Sequence, residues 1–259
     1  MRFGPGALKD AAVGAGREAW AVSAALAQHH RRFSAPVAPV TARATWKTEA
    51  VVLVHGLGHN DGAWSTLGAR LGAAGFFEFT PVTYGLDDDV PRIAEHIAER
   101  VDALAGARPD ERVHLIGHSL GGVAIRYWYD ILGGDTRADA VVTLGAPHLG
   151  TMWTRLPFVV GAARDLAVDS SVARRLRGHD VRHDRWTTIG GTFDVVVPPW
   201  RAHLPDAENV NVPVGHVGLL TSKAAAGHVC MALLHAEDQR AAMRQVAARG
   251  GSGAFFSHE

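Results

Sequence analysis

The residues with the clearest chemical potential are a serine between glycines, a downstream aspartate and a histidine beyond it. Gly117-His118-Ser119-Leu120-Gly121 matches the pattern G-x-S-x-G. It follows the apolar run VHLI (113–116) and leads into a segment able to form a helix. A strand that turns sharply into a helix lifts the serine hydroxyl above the strand ends, and glycines on both sides avoid a backbone collision. The turn also puts the serine at a helix N-terminus, where unpaired amides favour developing negative charge. This chemistry is nucleophilic attack, and a serine hydroxyl needs a base to perform it.

The chain has 15 histidines, so position must select among them. In a nucleophile-elbow architecture the chain order is serine, acid, histidine. His216 in VPVGHVGLL (212–220) has glycines nearby and a helix-capable stretch after it, as expected of a loop following the last strand. His228 reads as a helix-face residue, and His179, His183 and His203 read as solvated loop positions. Asp194 in GGTFDVVVPP (190–199) lies just past a strand and is the preferred acid. Its competing role is that of a turn aspartate. Asp206 is the alternative acid, while Asp180 and Asp184 precede the strand end. His55-Gly56-Leu57-Gly58 closes the first strong strand, and His55 is expected to shape that loop. The backbone amides of Leu57 and Leu120 are the expected oxyanion donors. His118 and His148 are candidates for the substrate pocket, with the His118 side chain directed away from the serine hydroxyl.

Elements of regular spacing must carry these residues. AVVLVHG (50–56), FTPVTYG (79–85), VHLIG (113–117), ADAVVTLGAP (138–147), RWTTIGG (185–191) and ENVNVPV (208–214) read as strands. Helical patterns occupy 62–74, 90–104 and 120–132, and two further helices are expected at 222–234 and 236–248. Short apolar strands alternating with helices predict an α/β fold: a mostly parallel central sheet of about six strands, with helices on both faces. An N-terminal helical arm and linker (1–47) precede the domain at 48–249, and 250–259 reads as a loose tail. The arm is a candidate docking helix, with membrane-surface attachment or self-association as alternatives. Residues 151–182 read either as a lid or acyl-binding rim using Trp153, Leu156 and Phe158, or as a crossover helix.

Composition narrows the partners. The 259 residues are 47% hydrophobic and 20% charged, and 26 basic side chains balance 26 acidic ones. This balance gives no footprint for a nucleic acid. The single cysteine, Cys230, excludes an intramolecular disulfide and fits a reducing compartment. No export signal is read, so a cytoplasmic location is expected. No paired-cysteine spacing exists and H-x-x-x-H zinc patterns with a helical glutamate are absent, His179 and His183 reading as surface residues, and HGLGHNDG (55–62) lacks the spacing and the lysine of a phosphate loop.

The set HGLG (55–58), GHSLGG (117–122), LGAPHLGT (144–151), FDVVVPP (193–199) and GHVGLL (215–220) resembles the α/β-hydrolase superfamily. Within it, the set is similar to small bacterial lipases and esterases, over residues 48–235. The resemblance implies a Ser119–His216–Asp194 triad, an oxyanion hole from Leu57 and Leu120, and ester hydrolysis without a cofactor. Its substrate would be a small-molecule or lipid ester. An acyltransferase or thioesterase would use the same three side chains, and a non-catalytic binding module is the different-class alternative. The N-terminal arm and the long 151–182 segment depart from the most compact members.

Overall fold

The computed structural model describes residues 50–107, 112–151 and 161–251. The expected arm at 1–47 lies outside them. Six parallel strands form one sheet in the order β2-β1-β3-β4-β5-β6. They are β1 (Val51–Val54), β2 (Phe79–Val82), β3 (Val113–His118), β4 (Ala138–Leu144), β5 (Trp186–Gly191) and β6 (Glu208–Val212). The helices are α1 (Ser65–Ala73), α2 (Val90–Ala107), α3 (Leu120–Ile131), α4 (Ala162–Asp165), α5 (Ser171–Arg177), α6 (Pro199–Ala202) and α7 (Lys223–Gly251).

The central strands β1, β3, β4 and β5 are buried along their whole length because both faces are covered. Alternate side chains of β1 divide between two cores. Val52 and Val54 pack with Leu115, Val141 and the apolar faces of α2 and α3. Val51 and Leu53 pack with Ile116, Val142, Ile189 and residues of α1 and α7. Register aligns Val54 with Val82 and Gly117, His118 with Leu144, and Gly191 with Val212. The loops bearing the candidate residues therefore leave the sheet along one edge, at the strand C-termini.

α3 is buried from Leu120 to Asp130. Two charges inside it are neutralised locally and then tied outward. Arg126 Nε donates to Asp130 Oδ2 at 3.0 Å, and its guanidinium also donates to the carbonyls of His148 and Leu176. His183 Nε2 donates to the other oxygen, Asp130 Oδ1, at 2.9 Å. His183 is 5% exposed, which corrects its expected place among solvated residues. Its aspartate partner lies on a distant helix and leaves no mark in the local sequence.

Three further expectations change. The 62–74 helix begins as a single 3-10 turn, Asp61–Trp64, capped by the Asn60 side chain. The two C-terminal helices are one, α7, because neither glycine nor proline interrupts residues 228–249. In the 151–182 segment, Leu166, Val172 and Leu176 pack into the core, and Thr151 bridges to Ala167. The part from residue 161 onward is thus a packed crossover, while 152–160 lie outside the described residues.

Removing Asp130 should expose the weight of this buried network. Asp130→Ala leaves Arg126 without its carboxylate and is expected to lower stability by about 3 kcal/mol in urea denaturation. Asp206→Ala, at an exposed turn position, should change it by no more than about 0.5 kcal/mol.

Candidate active site

Ser119 has φ 52 and ψ −121, a positive φ found in no other non-glycine among the described residues. Its N–H donates to the Leu144 carbonyl at 2.9 Å, and Gly122 N–H returns to the Ser119 carbonyl at 3.0 Å. The neighbouring glycines are needed for contact, not only for flexibility. A Cβ on Gly117 would stand 2.6 Å from the Gly122 Cα, and one on Gly121 would overlap the Val54 carbonyl oxygen. A Cβ on Gly122 would come within 2.5 Å of the Ala146 Cβ. The elbow is wedged between β1 and the turn after β4, with no room for side chains.

The hydroxyl so presented meets the two partners expected from sequence. Ser119 Oγ–H donates to His216 Nε2 at 3.0 Å. His216 Nδ1–H donates to Asp194 Oδ2 at 2.6 Å, in a buried pair. The second carboxylate oxygen, Oδ1, accepts from the N–H groups of Val196 (2.9 Å) and Val197 (2.7 Å). Asp194 therefore serves as a turn aspartate and as the imidazole's partner at once, and each role fixes the other. Asp206, Asp180 and Asp184 are solvent-exposed.

His216 heads the 3-10 turn Val217–Leu220, which follows β6. Two glycines unremarked by sequence reasoning make its seat. Gly145 has φ 58, and a Cβ there would stand 3.1 Å from His216 Nδ1 and 2.9 Å from Leu219. A Cβ on Gly191 would press on the Val214 carbonyl at 2.5 Å and on Asp194 at 3.2 Å. The available signal was position alone: each glycine ends or directly follows a strand on the side of the site.

The loop after β1 lies against the elbow. A Cβ on Gly56 would stand 3.1 Å from the Ser119 Cβ, so the chain leading into Leu57 passes beside the serine. Leu120 is the first residue of α3 and has no intrahelical acceptor for its N–H. His55 is buried and stacked on Tyr84 at 4.2 Å, and the Tyr84 hydroxyl donates to its carbonyl at 2.6 Å. Burial raises the Tyr84 phenol, which stays protonated as the donor. These contacts give His55 the loop-forming place expected of it.

His118 and His148 both lie inside the protein. His118 is 1% exposed and donates Nε2–H to the His216 carbonyl at 3.2 Å. His148 bonds through Nε2 to Thr143 Oγ1 at 3.0 Å and packs edge-on to Trp186. Neither ring forms an open pocket wall. His203 is a half-buried loop residue that bonds to Thr188 at 2.8 Å and Asn211 at 3.0 Å. His228 sits half-buried on α7. Trp153, Leu156 and Phe158 lie outside the described residues. Leu57, Leu86, Leu149, Val195 and Trp200 are large exposed apolar residues, all on segments that follow strand C-termini. Arg201 joins two of these segments, donating to the carbonyls of Leu149 and Gly150 at 3.1 Å each. Among the described residues, no three metal-ligating side chains converge. None of their helices is long and apolar enough to cross a membrane.

Burial holds His118 far below the ordinary histidine pKa, aided by His216, His59 and His55. It does the same to His148, aided by Arg126, His183 and His203. Both rings are folded in as neutral groups. An unfolded chain takes up these protons near pH 6.5, so their contribution to stability is complete above that pH and is lost as pH falls below it. Tm should therefore decrease between about pH 7 and pH 5, and His148→Gln should flatten part of that slope. An unchanged slope in differential scanning calorimetry would contradict the neutral burial of His148.

Comparison with known proteins agrees with this architecture. Residues 51–256 match the family described as Alpha/beta hydrolase family. A probable esterase, PIR7A, of Oryza sativa subsp. indica is 38% identical over 80 residues, which span 29% of this chain and 30% of that relative's length. The mature form of Bacillus licheniformis lipase BlEst2 superposes with a TM-score of 0.61 at 17% identity, covering 78% of this chain and 95% of that one. Aspergillus fumigatus lipase B gives a TM-score of 0.55 at 18% identity, covering 74% of this chain and 54% of that one. With the family match extending over most of its length, the chain belongs to the alpha/beta hydrolase family.

Proposed function

We propose that the protein hydrolyses carboxylic esters through an acyl-enzyme intermediate on Ser119. The observation that carries this reading is the unbroken line of hydrogen bonds from Ser119 Oγ through His216 to Asp194. The esterase and lipase names of its relatives and structural neighbours support the substrate class.

In this mechanism Oγ attacks the ester carbonyl carbon while its proton passes to His216 Nε2. Asp194 holds the ring in the tautomer that can accept the proton, and stabilises the imidazolium that results. The carbonyl oxygen becomes an oxyanion between the Leu57 and Leu120 amides. Such a donor typically lowers the barrier by about 3 kcal/mol, because it is aimed before charge develops. The tetrahedral species collapses, and the alcohol leaves with the proton from His216. Water then gives a proton to His216 as it attacks the acyl carbonyl, and on collapse His216 returns that proton to the departing Ser119 Oγ as the acid is released. No step needs a metal or cofactor.

The exposed apolar side chains Leu57, Leu149, Val195 and Trp200 support an ester whose acyl or alcohol part is hydrocarbon. A small-molecule or lipid ester is thus the proposed substrate partner. Attachment of the N-terminal arm to a membrane surface or a second copy, and a cytoplasmic location, stay proposals from the sequence alone.

Turnover of p-nitrophenyl butyrate tests the assignment. Ser119→Ala should lower kcat on the order of a million-fold, and Asp194→Asn about ten-thousand-fold. Asp206→Asn should leave it near wild type. Substantial turnover by Ser119→Ala, or a greater loss from Asp206→Asn than from Asp194→Asn, would contradict the roles given.

A further inference from the structure

His118 stands between the two loops that the reaction must keep in register. One side of its ring reaches the loop after β6, where Nε2 is 3.2 Å from the His216 main-chain oxygen. The other side reaches the loop after β1. Its Nδ1 is 2.8 Å from the point where a Cβ of Gly56 would stand. The His59 ring stacks over it, with centroids 5.5 Å apart and planes within 7°. Gly56 and His59 bracket Leu57, the proposed oxyanion donor. The His118 and His216 rings are themselves only 4.8 Å apart.

The protonation state follows from the contacts. A carbonyl oxygen only accepts, so Nε2 of His118 carries the hydrogen. Nδ1 is then a bare acceptor, and it has no hydrogen-bond partner among the described residues. A cation in this position would face His216, His59 and His55 inside the protein and oppose the imidazolium formed during turnover. Burial and those same rings keep it neutral. Filling space would not require such a residue: leucine, methionine or phenylalanine would fill it without burying an unpaired nitrogen.

We propose that His118 is a positioning residue: one neutral imidazole that holds the main chain of His216 and packs against the Gly56–His59 loop. The spacing between the base and the oxyanion donors is then set by a single ring fixed to the end of β3. This role rests on the reading of Ser119 as nucleophile and His216 as base.

The test uses the full chain and two substitutions. His118→Gln keeps a side-chain N–H able to reach the His216 carbonyl, whereas His118→Leu keeps volume and loses the donor. With p-nitrophenyl butyrate, His118→Leu should lose about 30-fold in kcat with KM within about two-fold, as expected when reacting groups shift while binding surfaces persist. His118→Gln should recover most of that loss. Retention of kcat by His118→Leu, or an equal loss in both variants with unchanged melting, would overturn the proposal.

A second measurement needs no variant. The ¹⁵N shifts of His118 in the wild-type chain should report a neutral ring protonated at Nε2 throughout about pH 5.5–8. A ring protonated at Nδ1, or one that gains a charge in that interval, would equally overturn it, even if both variants failed to fold. Turnover by Ser119→Ala would instead remove the underlying reading, and the role of His118 with it.

Discussion

The structure depends on holding one serine backbone in a conformation that L residues avoid. A residue kept at such a φ typically costs about 1–3 kcal/mol, so its surroundings must leave no alternative. Here they do so by contact. β1 passes too close to the elbow for any side chain at position 121, and the turn after β4 does the same at position 122. The Ser119 amide is held by the end of β4, and its carbonyl receives the first turn of α3. The strain is held by sheet and helix together, which is why the hydroxyl has one defined direction.

From that fixed point, the remaining groups are distinguished by environment. The histidines show this most clearly. His216 has a carboxylate on one nitrogen and a hydroxyl on the other, a pairing able to carry a proton. His118, next to the serine in sequence, is enclosed with other imidazoles and a carbonyl, and stays neutral. His183 shares Asp130 with Arg126 in a buried network that anchors α3 from its far end. The same side chain thus meets three different surroundings, and in the proposed mechanism only His216 carries a proton. Because Arg126 also donates to the His148 carbonyl, the turn after β4 is tied to the helix behind the serine.

Much of this was legible in the sequence because it is locally encoded. Apolar runs ending in glycine marked the central strands, and the G-x-S-x-G spacing marked the elbow. The order serine, aspartate, histidine then selected two residues from many, and the structure brings both to Ser119. What the sequence concealed depends on distant partners. Nothing near His183 signals a carboxylate on α3, and nothing near Gly145 signals that the His216 ring will pack against it. The break expected between 222–234 and 236–248 does not occur for a different reason: no residue there interrupts a helix. Asp194 reads in sequence as either a turn residue or an acid, and its two oxygens allow both.

The most direct measurement of the central claim is covalent. A fluorophosphonate reacts with a serine only where a base activates the hydroxyl and the site accommodates a tetrahedral phosphorus. Peptide mapping by mass spectrometry should place one adduct on Ser119, with the rate falling at least about 100-fold in His216→Ala. An adduct on another residue, or an unchanged rate without His216, would contradict the account.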